Sequence, residues 1–347
     1  MVHHADIQAI LDRFGETAPL AAARASTALA LLLHQSYLAE KRSPVDRQMA
    51  WRFSTLTGDG FPLEWVFTSA DSQLRYVVDP GGPDLLPAQR LANAAGLVAQ
   101  LAQPVNSEWL EELLAWHRAA AFGELRYGAW IAGRHHNVRS ADQFKLYVET
   151  PVSSAQAAQA LVSSYCNEIP HVPARKLQLR MLGLELTTGR IEFYYRVNDL
   201  QSAALSHLLY PAGLRARADE LLYFVEEAYG YSLRAADVRI PGGSVGFSYS
   251  ISPDSGQVAF TLFLYVRLLW GGDAHIRKRF SEQLAKAGVD PSPYWQVTTL
   301  LSGRDIHQTY HSSVGFVLAS DGPIQISLGV RPPPVQNQLD LLSSQVT

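Results

Sequence analysis

Positively charged residues and tyrosines recur two residues apart in apolar segments of this sequence. Lys145 and Tyr147 form one such pair, and Arg190 and Tyr194 belong to a second segment of the same kind. In a β-strand, residues two apart point to the same face of the sheet. Cationic side chains bind anionic groups, while tyrosine offers a hydroxyl and a ring face that attracts cations. The pattern therefore predicts a site that holds a polar ligand.

These segments belong to five predicted strand pairs, four closed by short turns rich in glycine, aspartate, serine and threonine and the second by a longer polar loop containing Asn137. The pairs span residues 63–68 and 73–79, 125–132 and 143–150, 177–186 and 190–197, 244–252 and 257–267, and 310–319 and 323–330. Their turns recur at intervals of roughly 50–70 residues, which indicates an internal structural repeat. An apolar segment at residues 49–57 is expected to extend or precede the first pair.

Helical patterns fill the intervals between the hairpins, at residues 17–41, 85–101, 107–121, 154–165, 200–210, 214–229, 273–287 and 293–301. Strands joined by tight hairpins run antiparallel, and ten of them can close into a barrel without exposed edges. The predicted fold is therefore α+β: a ten-stranded antiparallel β-barrel of five αββα repeats, with helices outside and a ligand-holding lumen. We expect a single domain at residues 1–331 and a C-terminal tail at residues 332–347, beginning at the proline run that ends the last strand.

The predicted outer helices indicate which face of each strand points into the lumen. In the strand at residues 190–197, Ile191 and Phe193 alternate with Glu192 and Tyr194. Since outer helices must cover the apolar face, the charged and tyrosine-bearing face points into the lumen. The alternative is an ordinary sheet with one solvated face, but repetition of the pattern in successive hairpins favours the lumen.

Composition restricts the partners. The net charge of −3 argues against a nucleic-acid or anionic-membrane surface. Cys166 is the only cysteine, which excludes an intrachain disulfide, fits a reducing cytoplasm and suggests a plain core residue. We expect a cytoplasmic monomer or homodimer whose partners are small molecules.

Several well-known catalytic motifs are absent from the sequence. It has no Asp-Asp-x-x-Asp, no Gly-x-x-x-x-Gly-Lys phosphate loop and no His-Glu-x-x-His. His135 and His136 are adjacent, and adjacent strand residues point to opposite faces, while His307 and His311 lack a third ligand nearby. No metal site is expected.

A series of short motifs runs in order from about residue 60 to residue 330. They are Gly60-Phe61-Pro62-Leu63-Glu64, Arg75, Lys145-Leu146-Tyr147, Arg190-Ile191-Glu192-Phe193-Tyr194, Phe263-Leu264-Tyr265 and Thr309-Tyr310. Their order and spacing resemble the dimethylallyltryptophan-synthase branch of the αββα-barrel aromatic prenyltransferases. The chain departs from that pattern at Glu192, where a lysine is expected, at Phe263, where a glutamine is expected, and in the last strand, which lacks a tyrosine.

The resemblance implies a secondary-metabolism enzyme of bacterial type, active in alkaloid biosynthesis. It would transfer a dimethylallyl group from dimethylallyl diphosphate to an indole-containing small molecule by Friedel-Crafts alkylation. Glu64 and Lys145 are the implied catalytic residues: Glu64 would accept the indole N–H, and Lys145 or a water relay would be the base that removes the ring proton. The implied diphosphate ligands are Arg75, Lys145, Arg190, Arg267, Tyr147, Tyr194 and Tyr265. Tyr147, Tyr194, Tyr265 and Tyr310 would shield the allyl cation and, with Glu64, bind the acceptor.

The family reaction implies no required cofactor. Magnesium near Glu192 is compatible with it but not essential. Two alternatives stay open: prenylation of a phenol or a peptide side chain, and a non-catalytic barrel that binds a ligand in its lumen.

Overall fold

The structure is a computed structural model that describes residues 4–42, 49–102, 108–138, 140–166, 168–235, 238–252, 255–301 and 309–332. Ten antiparallel strands close into a barrel in the order β1-β10-β9-β8-β7-β6-β5-β4-β3-β2. The strands are β1 Leu63–Thr68, β2 Leu74–Val78, β3 Ala129–His135, β4 Gln143–Glu149, β5 Gln178–Glu185, β6 Ile191–Asn198, β7 Ser244–Ile251, β8 Val258–Tyr265, β9 His311–Leu318 and β10 Gln325–Val330. The predicted fold class is confirmed.

Helices precede the first hairpin and separate the successive hairpins on the outside of the barrel. Within the described ranges they are α1 His4–Thr17, α2 Pro19–Leu32, α3 His34–Glu40, α4 Pro87–Leu101, α5 Glu108–Ala119, α6 Ala155–Tyr165, α7 Leu205–Leu209, α8 Ala218–Tyr229, α9 Val266–Trp270, α10 Asp273–Lys286 and α11 Ser292–Thr298. None of these helices is long and apolar enough to cross a membrane.

The hydrophobic core lies between the barrel and its helices. Leu146, Phe193 and Leu262, which alternate with the lumen residues of β4, β6 and β8, are fully buried. The predicted assignment of the strand faces is thereby confirmed, because the apolar faces meet the helices and the polar faces meet the lumen.

The N-terminal region differs from the prediction of one helix at residues 17–41. Pro19 occupies the first turn of α2, a position where its missing N–H costs nothing, so a separate α1 ends just before it. Ile7, Ile10 and Phe14 of α1 are buried, and the Phe14 ring lies 5.4 Å from that of Trp65. Their spacing at three and four residues is a helical signal that the prediction overlooked.

Three strand predictions need correction. Residues 49–57 form turns and bends instead of a strand. β3 spans Ala129–His135, so it begins and ends later than the strand predicted at residues 125–132. β8 ends at Tyr265, where α9 begins, rather than at Arg267. Of the predicted C-terminal tail, residues 333–347 lie outside the described residues, and the domain boundary stays a prediction.

Candidate active site

The lumen of the barrel contains a cavity of about 510 Å³ that all ten strands line. Long charged and aromatic side chains occupy the wall made by β2, β3, β4 and β6. The opposite wall carries small residues, among them Ser248, Ser250, Gly315 and Ser327. This unequal distribution of side-chain volume leaves the barrel hollow, whereas most small barrels fill their interior.

Glu64, the second residue of β1, borders the cavity on the side where β9 and β10 pass. Burial raises its pKa to about 7, and the adjacent Ser312 hydroxyl offsets this only in part. No described residue forms a hydrogen bond of normal geometry with Glu64 Oε1 or with Ser312 Oγ. The close approach depends on Gly329, because a Cβ there would lie 2.6 Å from Glu64 Oε1 and 2.5 Å from Ser312 Oγ.

Lys145 of β4 is paired with the residue that departs from the family motif. Its Nζ lies 2.7 Å from Glu192 Oε1, and Glu192 also accepts hydrogen bonds from Ser250 Oγ and Tyr194 OH. Gly183 of the intervening strand makes the room, since a Cβ there would come within 3.2 Å of Glu192. Burial is the largest single influence on Lys145 and would by itself lower its pKa, but the charge and hydrogen bond of Glu192, together with Tyr147 and Glu185, outweigh burial and raise that pKa above its ordinary value. Lys145 therefore keeps its proton at neutral pH.

Three aromatic rings form a continuous group beside this ion pair. The Tyr147 and Tyr194 ring centroids are 5.7 Å apart, and those of Tyr194 and Phe263 are 5.9 Å apart. Lys145 Nζ lies 5.5 Å from the Tyr147 centroid. Burial raises the pKa of both tyrosines, so their hydroxyls stay neutral.

Arginines occupy the end of the lumen where the hairpin turns lie. Arg75 Nη2 lies 2.5 Å from Asp71 Oδ2, and Arg190 donates to Ser252 Oγ from Nε at 3.3 Å and from Nη2 at 3.1 Å. The cavity lining contains four cations, Arg75, Arg134, Lys145 and Arg190, and four carboxylates, Glu64, Asp71, Glu185 and Glu192. The formal charges of the lumen therefore cancel.

Three predicted site residues do not line the cavity. Arg267 is exposed on α9, so its predicted place on an inward strand face is wrong. Tyr265 has the inward parity of β8 but lies at the rim, 53% exposed. Tyr310 precedes β9, where its backbone N–H donates to Asp273 and its ring lies 4.1 Å from the Arg331 guanidinium carbon. Glu64, Arg75, Lys145, Tyr147, Arg190 and Tyr194 do line the cavity together.

Sequence reasoning missed several lumen residues, among them Asp71, Trp130 and Arg134. Trp130 and Arg134 have the inward parity of β3; Arg134 lies beyond the predicted end of that strand, and Trp130 lies within it. Asp71 lies in the turn after β1, where strand alternation does not apply. In the described part of the chain, no cluster of three or more histidine, cysteine, aspartate or glutamate side chains is suited to a metal ion.

Neither family models nor curated proteins match this sequence, but solved structures do. A 6-dimethylallyltryptophan synthase from Micromonospora olivasterospora, in complex with DMASPP and Trp, matches with a TM-score of 0.73 at 18% identity, over 96% of this chain and 100% of that chain. The 5-dimethylallyl tryptophan synthase from Streptomyces coelicolor, in complex with the same two ligands, gives 0.69 at 19% identity, over 95% and 97%. The prenyltransferase PriB, in a ternary complex with L-tryptophan and dimethylallyl thiolodiphosphate, gives 0.71 at 18%, over 96% and 99%.

This chain has the prenyltransferase-barrel fold. The agreement extends over nearly the full length of both chains in each comparison, so the barrel and its surrounding helices are shared as a unit. A common fold hosts different chemistry through its site residues. The function of this chain therefore depends on the residues of its own lumen.

Proposed function

We propose that this protein is an aromatic prenyltransferase that transfers a dimethylallyl group from dimethylallyl diphosphate to an indole-containing small molecule. The observation that carries the proposal is the content of the closed lumen. Arginines at the turn end and the buried carboxylate of Glu64 face one cavity, with an aromatic group also in its wall. An anion, a carbocation and a ring N–H each find a suitable partner there.

Spacing along the first hairpin supports this division of roles. Arg75 pairs with Val66, two residues along β1 from Glu64. At about 3.3 Å rise per residue, the two inward positions lie roughly 7 Å apart along the strands. A five-carbon allyl chain between a diphosphate at one position and an indole at the other fits that separation.

The donor must ionise in a place that stabilises its leaving group. Guanidinium groups suit this task because their planar forks match phosphate oxygens and remain charged. Arg75 and Arg190 are the arginines of the predicted diphosphate set that reach the lumen. As the C–O bond breaks, the electron pair leaves with the diphosphate and positive charge develops on the allyl group.

The allyl cation then needs protection from water until the indole attacks. The ring faces of Tyr147, Tyr194 and Phe263 offer cation–π attraction, worth about 0.5–2 kcal/mol for each desolvated contact. Phe263 stands where the family has glutamine, so this member uses an apolar ring at that position.

Glu64 is the acceptor-orienting residue in this proposal. Its carboxylate accepts the indole N–H, which holds the ring against the allyl cation and stabilises the positive charge that grows on the ring. A new C–C bond forms, and the ring proton passes to a water relay, which restores aromaticity. Because Lys145 keeps its proton, we assign it a fixed positive charge beside the cation-binding rings instead of the predicted role as the base.

The reaction as proposed needs no cofactor. Its test is incubation of the full chain with dimethylallyl diphosphate and a panel of indoles, phenols and tryptophan-containing peptides, followed by mass spectrometry. The expected product is an indole that has gained one C5H8 unit. Products from phenols or peptides alone would transfer the proposal to those acceptors. No product from any acceptor, with a hydrophobic ligand retained in the lumen, would favour a binding protein instead.

A further inference from the structure

One carboxylate in the lumen serves two arginines. Asp71 Oδ2 lies 2.5 Å from Arg75 Nη2 and 3.4 Å from Arg134 Nη2. Arg134 also donates from Nε to Gln73 Oε1. Asp71, Arg75 and Arg134 all line the central cavity and are about one-quarter to one-third exposed to it. We call these three residues the Asp71 cluster.

The strand register forces the two guanidinium groups together. Arg75 of β2 and Arg134 of β3 are direct register partners, and both have inward parity. Burial, and after it the charge of Arg75, lowers the pKa of Arg134. With one carboxylate between two guanidinium groups, the Asp71 cluster carries a net charge of +1.

Lys145 of β4, another lumen cation of the predicted diphosphate set, is already neutralised by an ion pair. Lys145 is paired at 2.7 Å with Glu192, and both partners lie on strands whose positions the barrel fixes. Asp71, in contrast, lies in the turn between β1 and β2. Its side chain can turn away from the arginines without breaking a strand pair, at the cost of one turn hydrogen bond from the Gln73 N–H, whereas Glu192 is held by three lumen side chains.

We propose that Arg134 acts with Arg75 to hold the terminal phosphate of the donor, and that Asp71 occupies this anion position until the donor arrives. This inference rests on the proposed function and deepens it. Two adjacent planar forks can each bind phosphate oxygens bidentately. A phosphate with two negative charges competes effectively with the single charge of one carboxylate. Arg134 replaces the cation that the family motif places at position 192, so the diphosphate site moves toward the turns.

Binding of inorganic pyrophosphate and of dimethylallyl thiolodiphosphate, measured by titration calorimetry, tests the assignment without requiring turnover. Arg134→Gln should weaken both affinities about tenfold to hundredfold, since it removes charge-assisted hydrogen bonds. Arg134→Lys should recover only part of the loss, because a point charge lacks the fork. Arg279→Gln, an exposed arginine of α10, is the matched control and should bind as the wild type does.

Asp71→Asn tests the placeholder role. Asparagine keeps the oxygen that accepts the Gln73 N–H at 3.0 Å, so the turn is preserved while the competing charge is removed. We expect this variant to bind pyrophosphate about tenfold more tightly than the wild type. Circular dichroism and urea denaturation of each variant identify any that fails to fold, and Arg134→Lys then carries the test.

The outcomes separate this inference from the proposed function. If the wild type binds neither pyrophosphate nor the thiolodiphosphate and makes no product, the proposed function itself fails. If the wild type binds both while Arg134→Gln and Arg134→Lys bind equally well, only the assignment of Arg134 is overturned. Unchanged or weaker binding by Asp71→Asn overturns the placeholder role.

Discussion

Replacing Glu64 by glutamine should stabilise the folded protein at alkaline pH while it impairs indole prenylation. The carboxylate lies in protein surroundings that raise its pKa from 4.5 to about 7. Burial disfavours the charged form, so an ionised Glu64 destabilises the folded protein. A neutral glutamine of the same shape does not. The same charge is what the proposed hydrogen bond to the indole N–H uses.

The magnitude follows from proton linkage. Below pH 4.5 the side chain is protonated in both the folded and the unfolded protein, so it adds no pH dependence. Between pH 4.5 and about 7 the folded protein binds more protons than the unfolded chain, and the free energy of unfolding falls as pH rises. Each tenfold change in proton affinity is worth about 1.36 kcal/mol, so the loss amounts to roughly 3 kcal/mol above pH 7. Part of the Glu64 side chain is exposed, which makes this an upper value.

The assay is urea denaturation of the wild type and of Glu64→Gln at intervals from pH 4.5 to pH 9. Other groups titrate over this range, so the informative quantity is the difference between the two proteins. We expect this difference to change by up to roughly 3 kcal/mol in favour of the variant as pH rises. Glu185→Gln, which removes another lumen carboxylate, controls for the general loss of a negative charge. A difference that is constant across this pH range would refute the reasoning.

The activity of the wild type should increase as pH rises, whereas its stability decreases. The kcat/KM of the wild type should rise with pH as Glu64 ionises near pH 7, because kcat/KM reports groups of the free enzyme. Glu64→Gln should lose about 10- to 100-fold in kcat/KM and should lose that pH dependence. A pH profile that is unchanged in the variant would assign the titration to another group.

Further changes test other parts of the lumen. Glu192→Gln leaves Lys145 without its carboxylate, so urea denaturation should show a loss of about 3 kcal/mol, the low end for a broken buried pair because the Lys145 side chain is 22% exposed; full stability in this variant would contradict the ion-pair assignment. Gly329→Ala places a methyl 2.6 Å from the cavity-facing carboxylate of β1 and should cost about 1–3 kcal/mol by thermal unfolding together with most indole prenylation. Gly96→Ala, a helical control with nothing within 4 Å, should instead be stabilising by up to about 1 kcal/mol. Arg267→Gln should leave the KM for the donor unchanged, since its side chain is exposed on α9; a raised KM would restore the predicted role.

The alternation of apolar and polar residues along the strands identified most of the lumen residues, because successive residues of a strand point to opposite faces of the sheet. Glu192 and Tyr194 were assigned to the lumen in this way, and both line it. The method failed where strand ends were misplaced. Arg267 was assigned to the lumen because the apolar alternation of β8 continues past Tyr265 into α9, and alternation alone cannot detect that change of structure.

What the sequence by itself determined is the repeat of five hairpins, the face of each strand that looks inward and hence a hollow, polar barrel. These properties depend on turn residues and on neighbours two positions apart, which the linear order contains. Only the tertiary structure decided which charges meet. Lys145 and Glu192 pair across an intervening strand through the space that Gly183 leaves, and Asp71 reaches two arginines from a turn. The pKa of Glu64 is decided in the same way, because desolvation depends on every atom around a group and not on its neighbours in sequence.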